Sequence, residues 1–380
     1  MVNDEYSVKK KYITLSNILL TLYTTTLVCD IFTRSMFLVD KSSLLLHLRF
    51  VCIIMMAVFS LLGESHSKFD WICLFLGVLA TIRASDTNFL LMILLLFSVK
   101  NLSPKLVLKA TFFTIMVSLI IIMISSKLGI IINNISFRDG IFRQSLGMQF
   151  PLIFSGYVFL AFISWCLLDQ GKRKLLTCVF AVILVLFLDK ITNSRNDEIC
   201  IILASIISFV PNNSKKIIKK ETDIVILILF IGMVVSVFIN EIIPLDTNLG
   251  FKLDKLLSGR LGLQSTLFQY YHPTIFPQNI VQNGWGGKYT TALNYFYIDN
   301  SFTRFLFLGG ILFFLIIVTI VFKKMLELSQ NNMYKVALFL ALIILNGIVA
   351  DSFSILTTSL LLPMFGISNY QYKKDFVLQK

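Results

Sequence analysis

Long, nearly uninterrupted apolar runs constrain this chain more than any other feature of its sequence. Four of them cover residues 106–124, 222–239, 302–322 and 333–350. Each is close to the ~20 residues that an α-helix needs to cross a ~30 Å hydrocarbon layer. Charged residues make up 14% of the chain and hydrophobic residues 56%, which lies outside the range of soluble domains. We therefore predict an integral membrane protein, and an all-α one because no series of alternating strands recurs.

Further apolar runs raise the predicted number of membrane-spanning helices to about 12, within a range of roughly 10–12. The predicted spans lie near residues 12–29, 44–62, 69–82, 88–99, 106–124, 150–168, 175–188, 199–210, 223–243, 301–322, 333–350 and 352–370. Lysines concentrate on the side that holds both termini, so the positive-inside rule predicts cytoplasmic termini. We predict one integral membrane domain over residues 1–380, with a large extracytoplasmic loop at about 244–300.

The net charge of +13 would point to nucleic acid in a soluble protein. Here the lysine bias of the cytoplasmic loops explains most of it, so we predict no nucleic-acid partner. The six cysteines lie in or beside apolar runs and lack the short, paired spacings of metal ligands. We accordingly predict neither a metal site nor a cofactor.

Arginine is distributed differently from lysine. All arginines except Arg173 fall in predicted outer loops or at the outer ends of spans, which topology alone does not require. The planar guanidinium suits bidentate binding of phosphate or carboxylate in a partly desolvated site. Two interpretations remain open. The arginines either surround an outward cavity for an anionic substrate or lie there by chance, paired with nearby aspartates.

The large outer loop contains a predicted amphipathic helix from Asp254 to Tyr270. At 100° per residue its leucines gather on one arc, and Arg260 and Gln264 fall near the centre of that same arc. A helix on a membrane surface keeps its charges on the wet face, so an inward arginine needs a partner. We predict that Arg260 binds a substrate phosphate and that Gln264 also contacts the substrate.

Aromatic, amide and hydroxyl side chains follow this helix, among glycines and prolines that indicate irregular backbone. They are Tyr270, Tyr271, Gln278, Gln282, Asn283, Trp285, Tyr289, Asn294, Tyr295 and Tyr297. Aromatic faces and amides suit sugar rings, so we include Trp285 among the candidate substrate-binding residues. An ordinary interfacial aromatic belt is the alternative interpretation.

The next predicted span opens with Asp299 and Asn300, and Arg304 follows one turn later. Asn300 and Arg304 share a helix face, and both are candidate substrate-binding residues. Asp299 has two interpretations, a helix cap or a functional carboxylate. Asp351, at the outer junction of the last two predicted spans, is either a cap or a counter-ion.

Several of these residues form short motifs in a characteristic order. The motifs are Ser194–Arg195 between two short spans, Ser258–Leu261 (SGRL) in the large loop, Asp299–Phe302 (DNSF) opening a span, and the Gly309–Gly310 turn. In this order they resemble the O-antigen polymerase and ligase family. They are most similar to its Wzy-type polymerases of capsule and exopolysaccharide clusters. The resemblance covers the architecture of the whole chain, and its motifs lie between about residues 189 and 315.

The resemblance implies a metal-independent glycosyltransferase of the bacterial cytoplasmic membrane whose active site faces the extracytoplasmic side. Its substrates would be oligosaccharides linked to a polyprenyl diphosphate such as undecaprenyl diphosphate. By resemblance, Arg195 and Arg260 bind the donor diphosphate. Family ligases carry His-Asn where this chain has Asp299–Asn300, so the general base remains open between Asp299 and His272. The unperturbed pKa of histidine favours His272, and the family position favours Asp299.

The favoured function is a polymerase that joins repeat units of a capsule, exopolysaccharide or O-antigen. Its partners would be the lipid-linked oligosaccharide, the lipid bilayer, and a flippase and a chain-length regulator of the same pathway. The alternatives are a flippase for the same lipid-linked sugar and a ligase with another acceptor. Many transporters consist of two similar halves, and this sequence has no visible internal repeat. That absence favours an enzyme over a flippase.

Overall fold

The structure is a computed structural model, and it describes residues 2–38, 42–63, 66–138, 140–211, 216–283 and 295–377. The first part of the chain forms α1 (Val2–Thr33), α2 (Ser42–Gly63), α3 (Lys68–Ala84), α4 (Asn88–Ser98), α5 (Pro104–Lys127), β1 (Ile135–Arg138), β2 (Ile141–Gln144), α6 (Pro151–Asp169), α7 (Lys174–Ile191) and α8 (Arg195–Ile207). The rest forms α9 (Lys216–Val237), α10 (Ile239–Ile242), α11 (Asn248–Leu256), α12 (Arg260–Tyr270), α13 (Ser301–Phe307), α14 (Gly310–Gln330), α15 (Tyr334–Val349), α16 (Pro363–Gly366) and α17 (Asn369–Phe376).

Four of the described helices are long and apolar enough to cross a membrane. The candidate spans are Leu15–Thr33, Leu44–Leu61, Pro104–Lys127 and Pro151–Asp169, within α1, α2, α5 and α6. Two shorter apolar helices, α4 and α15, accompany them. These helices agree with the predicted helical membrane protein and indicate a lipid environment. The number of about 12 spans and the cytoplasmic side of the termini stay predictions.

The last predicted span, near residues 352–370, is not a continuous helix. It consists of two short 3-10 helices, Asp351–Phe353 and Leu356–Thr358, followed by the four-residue α16. Ser359 Oγ donates to the carbonyl oxygen of Ser352 at 2.6 Å. Serine hydroxyls that bond to nearby backbone compete with helical hydrogen bonds, which explains the irregular path.

The predicted all-α class also missed a β-hairpin among the described residues. Strands β1 and β2 pair antiparallel, with Phe137 opposite Phe142, in the stretch predicted as an outer loop. Gly140, in the turn, has φ of 82°, a left-handed conformation that glycine adopts without steric cost. The dipeptide Asp139–Gly140 between alternating apolar residues is the sequence signal for such a turn.

The centre of the protein is aromatic and is formed by α13, α15 and the turn that follows α15. The fully buried rings include Phe302, Phe305, Phe307, Phe339 and Phe353. The beginning of α13 is tied to the end of α15, since the backbone N–H of Ser301 donates to the carbonyl oxygen of Ala350 at 3.2 Å and its hydroxyl at 2.6 Å. The polar ends of both helices therefore meet at one place.

Candidate active site

The predicted helix from Asp254 to Tyr270 is interrupted in the structure. Ser258 and Gly259 both have left-handed backbone, with φ of 60° and 83°, so α11 and α12 are separate helices. Asp254 Oδ1 accepts a hydrogen bond from the backbone N–H of Gly262 at 2.9 Å across the break. A single helical wheel therefore does not describe this stretch, and the break determines where Arg260, the first residue of α12, points.

Gln264 lies on the inner face of α12, as its position predicted, but its amide is used within the protein. Its Nε2 donates to the carbonyl oxygens of Ser236 and Val237, at the end of α9. The last carbonyl groups of a helix lack partners within it, and a side-chain donor satisfies them. This contact gives Gln264 a structural role.

A cavity of about 100 Å³ lies where α6, α8, α12 and α15 meet. Its polar and charged lining residues are Asn196, Asp197, Arg260, Asp299, Asn346, Asp351, Ser352 and Thr358. Its apolar wall comes mostly from α6. A concave site with an apolar wall and a few converging polar groups is typical of binding sites for small molecules.

Arg260 lies beside a carboxylate in this cavity. Its Nε is 3.5 Å from Asp299 Oδ2, and the two side chains keep 21% and 26% of their area exposed. Among the described residues, Arg260 Nε has no hydrogen-bond partner. A bidentate arginine–carboxylate pair would instead make two contacts of about 2.7–2.9 Å. The guanidinium is therefore only partly engaged and retains capacity for a stronger anion.

Asp299 is not a helix cap. The neighbouring Asn300 caps α13, because its Oδ1 accepts hydrogen bonds from the backbone N–H groups of Phe302 at 2.8 Å and Thr303 at 3.0 Å. Asn300 was predicted to bind substrate, and the structure uses its side chain for the cap. With the cap supplied by Asn300, the carboxyl group of Asp299 faces the cavity.

The cavity changes the acidity of Asp299. Burial of the carboxyl group raises its pKa to about 6, although the positive charge of Arg260 opposes this, and the negative charge of Asp351 raises it further. A carboxylate with a pKa near the working pH suits general-base catalysis. The structure thus supports Asp299 as the better-placed of the two candidate bases.

Asp351 is held by a tyrosine at the other side of the cavity. The hydroxyl group of Tyr297 donates a short hydrogen bond to Asp351 Oδ2. Burial and the nearby Asp351 charge raise the pKa of Tyr297 well above its usual value, so this hydroxyl stays protonated and remains a donor. This hydrogen bond fixes Asp351 at a position where its negative charge raises the pKa of Asp299.

Asp197 is a buried cavity residue that sequence analysis did not assign to the site. Its carboxylate accepts hydrogen bonds from Ser155 Oγ at 2.5 Å and Asn346 Nδ2 at 2.8 Å. These partners come from α6 and α15, far away in the chain, so the sequence did not reveal the cluster. The only sequence signal was the density of charged residues between two short apolar runs.

Arg304, predicted to bind substrate, is not among the residues that line the cavity. Its Nη1 donates to Gln282 Oε1 at 3.0 Å, its Nη2 lies 3.5 Å from Asp86 Oδ2, and its guanidinium lies over the Tyr297 ring. Gln282 Oε1 also accepts from the backbone N–H of Ile298 at 3.1 Å. Arg304 therefore supports the segment that leads into the candidate base.

Two further candidates, Arg195 and His272, are not among the residues that line the cavity. Arg195 is exposed at the first position of α8, although the two residues after it line the cavity. His272 is exposed, and its carbonyl oxygen accepts from Gln278 Nε2 at 2.8 Å. Trp285 lies outside the described residues.

The arrangement can bind an anion and accept a proton within one cavity. Arg260 supplies the positive charge and Asp299 supplies a carboxylate that can accept a proton, while Asn196 and Asn346 lie beside them. Within the described ranges, no group of three or more histidine, cysteine, aspartate or glutamate side chains could hold a metal ion. Comparison with known proteins finds no family model, curated protein or solved structure that matches this chain.

Proposed function

We propose that this protein is a glycosyltransferase that joins oligosaccharide repeat units carried on a polyprenyl diphosphate. The reaction would take place at the outer face of the bacterial cytoplasmic membrane and serve capsule, exopolysaccharide or O-antigen synthesis. The observation that carries the proposal is the adjacency of Arg260 and Asp299 in the wall of one cavity. The apolar helices support a substrate with a lipid carrier.

Arg260 acts on the donor in this proposal. When the bond between the anomeric carbon and the diphosphate breaks, negative charge develops on the diphosphate. A guanidinium in a site with little water stabilises that charge more strongly than bulk solvent does. Arg260 would exchange its single 3.5 Å contact with Asp299 for the diphosphate oxygens. Arg195, exposed at the start of α8, would add a second and weaker contact.

Asp299 acts on the acceptor. Its carboxylate takes the proton from an acceptor hydroxyl group as the hydroxyl oxygen attacks the anomeric carbon, and the proton then passes from Asp299 to water. The charge of Arg260 lowers the pKa of Asp299. Binding of the diphosphate to Arg260 cancels part of that charge, so it raises the basicity of Asp299. Donor binding would therefore prepare the base.

The test is polymerisation by purified protein of the lipid-linked repeat units extracted from cells that lack it. The wild type is expected to give a ladder of longer glycans, and Asp299→Asn to lose at least about 100-fold in rate, the usual loss for a general base. Asp246→Asn, the same change at an exposed position of the same segment, is the matched control and should keep its activity.

Each alternative has its own result in this experiment. A flippase gives no ladder in detergent but moves the lipid-linked unit across vesicles. A ligase makes a single transfer to a different acceptor. Either result would overturn the proposed function. Full activity of Asp299→Asn would overturn the assignment of Asp299 as the base. The flippase and chain-length regulator remain proposed partners of the polymerase.

A further inference from the structure

The β1–β2 hairpin has an apolar face that nothing in the described protein covers. Side chains alternate between the two faces of a strand, so Ile135, Phe137 and Phe142 share one face, with Gln144 at its edge opposite Ile135. They keep 63%, 65% and 71% of their area exposed. The rings of Phe137 and Phe142 contact each other with centroids 5.1 Å apart. The face is thus a compact apolar surface rather than a set of scattered side chains.

The opposite face of the hairpin holds it in place. Arg143 Nε donates to the carbonyl oxygen of Thr192, and Arg138 Nη2 donates to both the carbonyl oxygen and Oδ1 of Asn193, at 3.0 and 3.1 Å. Arg143 is buried. Both arginines therefore bind the turn between α7 and α8, which keeps the apolar face directed away from the protein.

The base of the hairpin lies at the ends of two candidate membrane spans. The carbonyl oxygen of Gly147, just after β2, accepts from the backbone N–H of Met36, just after α1, at 2.8 Å. On the other side, the backbone N–H of Ile130 donates to Ser125 in the last turn of α5 at 2.9 Å. The 24 residues of α5 span about 36 Å, more than a ~30 Å hydrocarbon core, so its end reaches the membrane interface.

An exposed apolar surface runs from α5 to the hairpin. It comprises Ile120, Ile121, Ile124, Leu128, Ile130, Ile132 and Ile135, followed by the two phenylalanines. The one exposed charged side chain between Ile120 and Phe137 is Lys127, the last residue of α5, whose ammonium group can reach the aqueous side of the interface. On α5 this surface belongs to a candidate span, whose outer side faces lipid. Large continuous apolar surfaces are rare in contact with water and mark interaction sites.

We propose that the apolar face of the hairpin inserts into the membrane interface, at the boundary between lipid headgroups and acyl chains. Its continuity with the lipid-facing side of α5 identifies lipid as the occupant. The bound turn leads directly into α8, which carries Asn196 and Asp197 of the cavity. The hairpin thereby anchors one wall of the cavity to the bilayer surface. This inference does not depend on the proposed enzymatic activity.

The test places an environment-sensitive NBD fluorophore on Phe142→Cys of the full-length protein in phosphatidylcholine nanodiscs. Of the native cysteines, all but the half-buried Cys178 are buried, and labelled wild type corrects for them. Nitroxide-bearing lipids should quench the fluorophore at 142 at least twofold more than one on Asp246→Cys, at an exposed and charged position outside the candidate spans. Iodide in the buffer should show the reverse order.

Phe137→Cys repeats the measurement at the position opposite Phe142, so that misfolding of one variant does not decide the result. Strong iodide quenching with no effect of nitroxide lipids at both positions would overturn the proposal. Protection from both quenchers that disappears on dilution would also overturn it, because a second copy of the protein would then cover the face.

Discussion

The two ends of α15 bury polar groups in different ways. At its beginning, Lys335 is 4% exposed and its Nζ donates to the carbonyl oxygens of Gln170 at 3.0 Å and Ser208 at 3.3 Å. Beyond its other end, Arg260 and Asp299 face a cavity across one 3.5 Å contact. A buried cation surrounded by acceptors holds helices together, whereas an incompletely paired one beside a cavity can bind something else.

Lys324 on α14 follows the pattern of Lys335. Its Nζ donates to the carbonyl oxygen of Ile367 at 2.7 Å and to Asn369 Oδ1 at 3.2 Å, and it lies 3.6 Å from Glu327 Oε2. These contacts fix the chain between α16 and α17 against α14. The difference between the two regions therefore separates charges that stabilise the fold from charges available for chemistry.

The largest expected effect separates the two regions by activity. Arg260→Ala and Arg260→Lys should each lower polymerisation by about 10²–10³-fold, because a point charge does not replace planar, bidentate binding of the diphosphate. The free energy of unfolding should change by only about 0–1 kcal/mol, typical of a loosely paired charge. Polymerisation is measured as glycan length in cells that lack the gene and carry each variant. The abundance of the variant in the membrane is the control. Normal polymer from Arg260→Ala would mean that Arg260 only pairs with Asp299.

Lys335→Met should give the opposite profile. It removes the lysine donor from the buried carbonyl oxygen of Ser208 and the partly buried one of Gln170, at a cost of about 1–3 kcal/mol in the free energy of unfolding. Activity per folded molecule should not change. Thermal unfolding in detergent measures the difference, and Lys323→Met, at a lysine with a 73% exposed side chain, is the matched control. If Lys335→Met lost activity without losing stability, the distinction between the structural and the functional end of α15 would be wrong.

A smaller effect concerns pH. Asp299 must be ionised to act as a base, so activity should fall as the pH drops through about 6. Asp351 raises this pKa, so Asp351→Asn should move the acid limb of the pH–rate profile to lower pH. If the acid limb of the pH–rate profile does not move, a group other than Asp299 determines it.

The same pKa shift has a stability consequence of defined sign. Between pH 4 and about 6, the folded protein holds a proton on Asp299 that the unfolded chain has lost. Stability should therefore decrease as the pH rises through this range, and Asp299→Asn should remove that part of the slope. Unfolding midpoints measured across the range provide the check.

The smallest expected effect is that of Arg195→Ala. Because this arginine is exposed and outside the cavity lining, its removal should cost less than about tenfold in activity, the range of an exposed charge. Turnover at saturating and limiting donor concentration distinguishes binding from catalysis. A loss as large as that of Arg260→Ala would place the diphosphate nearer α8.

Sequence analysis singled out both residues of the pair. Arg260 was chosen by its position on a predicted helix that the structure shows to be broken, and Asp299 by its place before a span and by the family resemblance. The structure brings the two side chains within 3.5 Å of each other, and their roles stay predictions. Sequence could not decide between Asp299 and Asn300 as the cap, because both residue types cap helices well. Two turns that it missed, at Ser258–Gly259 and at Gly140, each contain a glycine with positive φ.

The distant half of the cavity was not predictable from local patterns. Asp197 meets Asn346 and Asp351 meets Tyr297 only because α8, α13 and α15 converge. Sequence periodicity describes one helix at a time and carries no information about which helices meet. The irregular chain after α15 was mistaken for a span for a related reason, since apolar composition is shared by helices and by buried turns.

The separation of Asp197 from its partners also bears on how the protein is made. Asn346 follows Asp197 by 149 residues, so at about 5–20 residues per second it leaves the ribosome roughly 7–30 s later. Ser155, which precedes Asp197 by 42 residues, is already present. The nascent chain can therefore supply one of the two hydrogen-bond donors to the Asp197 carboxylate early, and α15 supplies the second. A chain truncated before α15 lacks the Asn346 donor to Asp197. We expect quality-control proteases to degrade it.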